Sequence, residues 1–302
     1  MAVLPRTAIP EAKLKEELLT SPMLHTLRQA AALRLKWEAG REISFLGWIS
    51  MLDPAVAEVE VQWSYDGLII DTEHATFDVT ALRTTIMAFR GTDCVPLVRV
   101  GANDMYLIKT ALDLGAGGVL IPQIQGPDDA RVAVQHCRYP PEGIRGVSPR
   151  RASDYFSQGE AYVTEANESV LVMVQIESWD TYQQLDAILE VEGIDCFLVG
   201  QVDLAASMNH MWEPAHPEVL QATEDIVRRC RRAGRSASVA AATDVKEIQH
   251  WLDAGANVIS AGSDLGFLLA GYHAFKASMQ EANLPFAPAP GQEIQNSTQG
   301  DS

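Results

Sequence analysis

From about residue 44 onward the chain alternates short apolar runs with amphipathic stretches. The apolar runs are FLGWIS (45–50), GLIIDT (67–72), VPLVRV (95–100), GVLIPQ (118–123), VLVMVQIES (170–178), CFLVGQVD (196–203), SASVAA (236–241) and NVISAG (257–262). Runs that are apolar at consecutive positions, not only at every second one, predict parallel strands covered on both faces. The stretches between them carry helical spacing, as in DVTALRTTIMAFRG, DMYLIKTALDLGAG, GPDDARVAVQHCR, PEVLQATEDIVRRCRRAG and DVKEIQHWLDAGA. Asp78, Asp104, Asp128 and Asp244 stand where an N-cap or first-turn acid belongs, and Gly91, Gly115, Gly234 and Gly255 where a chain leaves a helix. Eight such strand–helix units predict an α/β fold, a (β/α)8 TIM barrel. No G-x-G-x-x-G follows the first strand to favour an open dinucleotide-binding sheet.

Two additions flank the barrel, which is expected over residues 44–283. Residues 1–43 form an N-terminal extension whose helical part, 11–40, is expected to close the barrel floor. Residues 284–302, rich in Pro, Gln and Ser without periodicity, are expected to be a disordered tail. The longest loop-like insertion, YPPEGIRGVSPRR (139–151), is expected to be free to fold over the barrel mouth.

Composition narrows the function. With 302 residues, 47% hydrophobic and 21% charged, the chain has the balance of a globular protein. Its 40 acidic residues against 23 basic ones give a formal charge of −17, which argues against nucleic acid and anionic membranes as partners. An anionic substrate gains no long-range attraction either, so an acid-binding site must carry its own local positive charge. The cysteines Cys94, Cys137, Cys196 and Cys230 are scattered without a C-x-x-C pair, as expected for free thiols in a reducing compartment. The N-terminus has no apolar signal core and no run spans a bilayer, so a cytoplasmic location is expected.

A barrel of this kind builds its site at the C-terminal ends of the strands. Strand two ends in Asp71-Thr72-Glu73-His74, strand three in Arg99, strand five in Gln175 and Glu177, and strand six in Gln201 and Asp203. Glu177 and Asp203 are expected to close neighbouring strands, about 5 Å apart. Two carboxylates so close repel unless one is protonated or a cation lies between them. An oxygen-only pair suits a hard divalent ion such as Mg²⁺ or Mn²⁺; the bland alternative is two solvated loop acids. Asp71 and His74 are spaced to pair, which would fix one imidazole tautomer for general-base work, although a lone surface histidine is the commoner case. Arg99 points a permanent cation into the mouth, to meet an anion, a developing oxyanion, or Glu73 or Asp71. None of the six lysines ends a strand, so Schiff-base chemistry is not expected.

Several blocks in order resemble the HpcH/HpaI aldolase family, the metal-dependent (class II) pyruvate aldolases acting on 4-hydroxy-2-oxo acids. They are DGLIIDTEHA (66–75), VPLVRV (95–100), IKTALDLGAGGVLIPQIQ (108–125), RYPPEGIRGV (138–147), VQIES (174–178), VEGIDCFLVGQVDLAASM (191–208) and AHPEV (215–219). The resemblance implies Glu177 and Asp203 as ligands of a divalent metal, Mg²⁺ or Mn²⁺, with Co²⁺ as a further option. It implies Arg99 on the 2-oxo group, a His74–Asp71 acid–base dyad, Gln175 beside the metal, and backbone N–H groups at Val202 and Asp203 for the pyruvate carboxylate. It also implies that Asp113 reaches a neighbouring subunit's site in a homo-oligomer, a hexamer or trimer of dimers.

The sequence departs from the family pattern at the sixth strand, where the usual G-P-[AG]-D-L-S is Gly200-Gln201-Val202-Asp203-Leu204-Ala205 and the glycine usual after S-M is Asn209. Gln201 adds a backbone N–H and a polar side chain beside the carboxylate-binding turn. Two chemistries are therefore expected at one site: aldol cleavage of a 2-oxo acid to pyruvate and an aldehyde, or oxaloacetate decarboxylation coupled to another acceptor, as in the family's macrophomate synthase-like members. An acyl-CoA lyase would need a basic rim, for which Arg145, Arg150 and Arg151 are the dense candidates. An inactive barrel scaffold would have no physical reason to keep an uncompensated acid pair.

Overall fold

The structure is a computed structural model that describes residues 22–75, 77–241 and 243–284. The first half of the N-terminal extension and nearly all of the expected tail lie outside the described residues. In chain order the elements are α1 (Pro22–Ala39), β1 (Ser44–Ile49), α2 (Pro54–Glu60), β2 (Gly67–Asp71), α3 (Val79–Met87), β3 (Val95–Arg99) and α4 (Met105–Asp113). There follow β4 (Gly118–Ile121), α5 (Pro127–Cys137), α6 (Gly159–Ser169), β5 (Leu171–Ile176), α7 (Trp179–Gln183), α8 (Leu185–Leu189) and β6 (Cys196–Val199). The last are α9 (Gln201–Ser207), α10 (Pro217–Arg232), β7 (Ser236–Ala241), α11 (Val245–Ala254), β8 (Val258–Ser263) and α12 (Asp264–Glu281). The eight strands pair in parallel, in sequence order, and β8 returns to β1 to close the barrel. Two compact units divide between Asp264 and Leu265. The barrel lies in the first, and nearly all of α12 in the second.

Strand alternation explains why consecutive apolar positions were needed. Leu46, Ile69, Leu97, Leu120, Met173 and Leu198 form one buried cluster inside the barrel, whereas Leu68, Ile70, Val98, Val119, Val172 and Phe197 belong to the layer under the helices. Both sides are dry, so a strand such as β5 is buried at all six positions. Ala30, Leu33 and Trp37 of α1 join the inner cluster, so α1 closes the barrel floor. The Trp37 carbonyl accepts from Ser236 Oγ and Asn257 Nδ2, both at 3.2 Å. Helix ends follow the local chemistry: Asp78, Asp104 and Asp244 each accept backbone N–H bonds as N-caps, and Gly255 takes φ 110° where α11 ends.

Two expectations need correcting. The sixth apolar run is strand only to Val199; Gly200 breaks it, and Gln201 opens α9. Asp203 therefore stands in the first turn of a helix, not at a strand end, and strand spacing does not set its distance from Glu177. The 139–151 segment does not fold over the mouth. Arg145 donates to Asp113 Oδ1 at 2.7 Å, the Ala152 N–H bonds the Asp113 carbonyl, and Arg151 bonds the Leu114 carbonyl. Asp113 ends the helix that descends from β3, so these contacts anchor the segment at the floor end.

All four cysteines are buried, and burial pushes the Cys94 thiol up to about 12. Among the described residues no helix is long and apolar enough to cross a membrane. Helix α12 nevertheless exposes Leu265, Phe267, Leu268, Leu269, Tyr272 and Phe275.

Candidate active site

On β2, β3 and β5 the inward-facing row continues past the apolar layer into polar residues at the mouth. On β2 the row runs Ile69, Asp71; on β3 it runs Leu97, Arg99; on β5 it runs Met173, Gln175 and then Glu177. Register sets Asp71 directly opposite Arg99. Arg99 Nε and Nη2 donate to the two Asp71 oxygens at 2.9 and 2.7 Å, a bidentate fork. The guanidinium also lies over the Trp48 ring, 4.7 Å from its centroid, and Nη1 is 3.4 Å from Glu73 Oε2. Burial works to raise the Asp71 carboxyl. The Arg99 hydrogen bonds and charge, with N–H bonds from Glu73 and His74, outweigh it and hold Asp71 below the usual carboxylate range.

The expected pairing of Asp71 with the His74 imidazole is not what the structure contains. Asp71 accepts the backbone N–H of His74 at 3.3 Å, while the exposed imidazole lies 3.7 Å from Glu73 Oε2. Arg99 occupies Asp71's outer lone pairs, which leaves Glu73 as the acid facing the imidazole. Burial raises the Glu73 carboxyl against the pull of Arg99 and His74, with Asp71 and Asp203 adding to the rise.

Glu177 is 7% exposed, and its partners are neutral. Oε1 accepts the Gln123 backbone N–H and Oε2 the Gln175 side-chain amide, each at 2.5 Å. Its carboxyl is pushed up to about 7, first by burial and then by the charges of Asp203 and Glu73, with the two hydrogen bonds opposing. Gln123 reaches this position with φ 55°, a strained setting for a non-glycine residue, and its side chain donates to Glu73 at 3.3 Å. Gly200 is required by the same packing: a methyl group there would lie 2.7 Å from Glu177 Oε2. Gln175 is fully enclosed and its Oε1 has no hydrogen-bond partner.

Of the residues singled out in the sequence, Asp71, Glu73, His74, Arg99, Gln175 and Glu177 come together at the mouth. Asp203 is exposed in the first turn of α9, close enough to act on Glu177 and Glu73 through its charge. Gln201 is 8% exposed at the start of α9, and Val202 faces outward. Asp113 is not among them; it pairs with the enclosed Arg145 at the floor end. Sequence reasoning passed over Trp48, Gln123 and Gly200. Trp48 shares the inward parity of Leu46, a signal that was available, but nothing local announced the Gln123 N–H.

A closed parallel barrel whose C-terminal mouth gathers buried carboxylates about a clamped arginine has the architecture of an aldolase-type lyase. The chain belongs to the HpcH/HpaI aldolase/citrate lyase family, whose model matches residues 45–270. It is 36% identical over 243 residues to a 5-keto-4-deoxy-D-glucarate aldolase of Salmonella paratyphi C (strain RKS4594), spanning 80% of this chain and 92% of the relative. An HpcH/HpaI aldolase/citrate lyase family protein from Burkholderia cenocepacia J2315 superposes with a TM-score of 0.78 at 32% identity, over 83% of this chain and 99% of the other. Macrophomate synthase superposes with a TM-score of 0.73 at 25% identity, over 83% and 91%. The class II aldolases of this family are in general divalent-metal enzymes.

Proposed function

We propose that the protein cleaves and forms the C3–C4 bond of 4-hydroxy-2-oxo acids through the enolate of pyruvate, with Glu177 and Asp203 holding Mg²⁺ or Mn²⁺. The observation that carries this reading is the state of Glu177: buried, beside two other acids, met only by neutral donors, and driven up to about 7. Such a carboxylate is relieved by a nearby cation. The donor set fits a hard ion, since it offers oxygen atoms only, Gln175 Oε1 is buried without a partner, and Gly200 leaves Glu177 its clearance. When bound, the ion would polarise the substrate's carboxylate and 2-oxo oxygens and so favour negative charge on them.

The chain's own groups supply the rest. As the C3–C4 bond breaks, its electron pair moves towards the 2-oxo oxygen, the C4 hydroxyl gives up its proton, and C4 departs as an aldehyde. Arg99, fixed by Asp71 and Trp48, meets the charge growing on the oxo oxygen without having to reorganise. His74 accepts the hydroxyl proton through water, and Glu73 stabilises the resulting imidazolium. In this reading Glu73 takes the place expected for Asp71, which instead orients Arg99. The first intrahelical bond of α9 runs from the Leu204 N–H to the Gly200 carbonyl, so the N–H groups of Val202 and Asp203 precede it and receive the substrate carboxylate, flanked by Gln201. Protonation of the enolate at C3 then releases pyruvate. A homo-oligomer, a hexamer or trimer of dimers, brings Asp113 to a neighbour's site and covers the apolar residues of α12.

The test is pyruvate release from 5-keto-4-deoxy-D-glucarate, itself a 4-hydroxy-2-oxo acid, before and after EDTA and again after Mg²⁺ or Mn²⁺ is restored. Turnover that disappears with the ion and in Glu177→Ala supports the proposal; turnover indifferent to both contradicts it. The likeness to macrophomate synthase and the polar Gln201 favour one second reading, in which oxaloacetate loses CO₂ to give the same enolate. That route has no C4 hydroxyl to deprotonate. His74→Ala should therefore abolish aldol cleavage and spare oxaloacetate decarboxylation.

A further inference from the structure

We infer that His210, Glu213 and His216, none of them among the mouth acids, form a second metal site that takes a borderline transition-metal ion of the Zn²⁺ class. They lie in the segment joining α9 to α10, and one ligand atom from each falls within 4.8 Å of the others. The spacing H-x-x-E-x-x-H is converted into proximity by two successive turns: the Glu213 N–H bonds the His210 carbonyl, and the His216 N–H bonds the Glu213 carbonyl, each at 3.0 Å. Three-residue turns stack every third side chain on one side. The imidazoles of His210 and His216 are accordingly stacked, with centroids 3.5 Å apart and planes 17° from parallel.

The hydrogen bonding prepares one ring for ligation. His210 Nε2 lies 3.0 Å from Glu218 Oε2; a carboxylate accepts, so Nε2 is the donor and the neutral ring presents its lone pair at Nδ1. A carboxylate on the far nitrogen is the usual support of a metal-bound histidine. His216 Nδ1 accepts the Glu218 N–H at 3.3 Å as the N-cap of α10, so an ion there displaces only one long bond, or uses Nε2 after the ring proton moves. Two imidazoles and one carboxylate, with water in the fourth position, suit tetrahedral Zn²⁺ at about 2 Å. They suit Mg²⁺ poorly, since it prefers oxygen ligands. The two centres thus differ in chemistry as well as position: oxygens in the mouth, mainly nitrogens here.

Zn²⁺ binding to the full chain, measured by equilibrium dialysis with excess Mg²⁺, tests the assignment. The comparison is between Glu177→Gln/Asp203→Asn and the same chain carrying His210→Gln and His216→Asn. Asparagine is a good N-cap, so α10 keeps its start, and an unchanged unfolding temperature without metal shows that the variant is folded. The expected result is one Zn²⁺ per chain in the first protein and its loss in the second. Glu218→Gln should weaken binding by about 10- to 100-fold. Equal Zn²⁺ uptake with and without the two histidines, or no uptake in either protein, overturns the site.

Discussion

The two ends of the barrel are built from similar residues to opposite effect. At the floor, Arg34 donates to Asp195 at 2.7 Å and to the Val170 carbonyl, while Asp195 also accepts the Val172 N–H. Arg145 bonds Asp113 and lies against the rings of Tyr139 and Tyr162. Asp195 and Asp113 each have a cation there, and α1 seals the end with Trp37. At the mouth the same economy stops halfway. Arg99 satisfies Asp71 and approaches Glu73, but Glu177 receives neutral donors and is left at about 7. The lesson is that burial of charge alone does not mark a site. What marks it is burial whose compensation is incomplete, at the end of the barrel where ligands bind.

Breaking the mouth should cost activity first. Arg99→Ala is expected to lower kcat/KM by on the order of 10³-fold, and Arg99→Lys to recover only part, because a lysine cannot make the fork to Asp71; steady-state kinetics on either substrate checks both. Breaking the floor should cost stability instead. Arg34→Met leaves Asp195 buried without its cation and should destabilise the fold by about 3 kcal/mol, measured by urea unfolding. The folded fraction of that variant should keep wild-type kcat. A comparable loss of kcat would erase the contrast between the ends.

The contrast can also be sharpened with pH. Because the folded-state pKa of Glu177 is raised, its contribution to stability is fully present below the unfolded value and is lost as pH rises through about 7. Metal-free protein should therefore lose on the order of 2–3 kcal/mol of stability from this group between about pH 4.5 and 7.5. Glu177→Gln should flatten that part of the profile, and saturating metal should reverse it. The smallest expected effect is that of Gly200→Ala, where the added methyl presses on Glu177. Metal affinity should fall by about 10- to 100-fold, with a modest drop in unfolding temperature because the methyl would also lie 2.8 Å from Glu177 Cβ.

The barrel was legible because its signals are local: apolar runs long enough for both faces of a strand, an acid before a helix, a glycine after it. Asp71, Arg99 and Glu177 were legible because alternation along β2, β3 and β5 carries the inward row to the mouth. What was not legible depended on partners far away in sequence. An ion pair of Arg99 with Asp71 or Glu73 was among the expectations and is present, but nothing near His74 says that it leaves Glu73 for the imidazole. The placement of 139–151 is set by Asp113 and Leu114. The change from β6 to α9 falls within CFLVGQVDLAAS, where polarity does not mark it, and only Gly200 hints at the break.

The most direct test of the central claim is Mn²⁺ binding to metal-stripped protein by isothermal titration at pH 6.5, in buffers of different ionisation enthalpy. A His210→Gln/His216→Asn background excludes any contribution from the α9–α10 segment. One ion should bind per chain with proton release, because Glu177 must ionise, and both binding and release should be lost in Glu177→Gln/Asp203→Asn. Unchanged Mn²⁺ affinity in that variant would show that the mouth acids do not hold the ion, and would contradict the account.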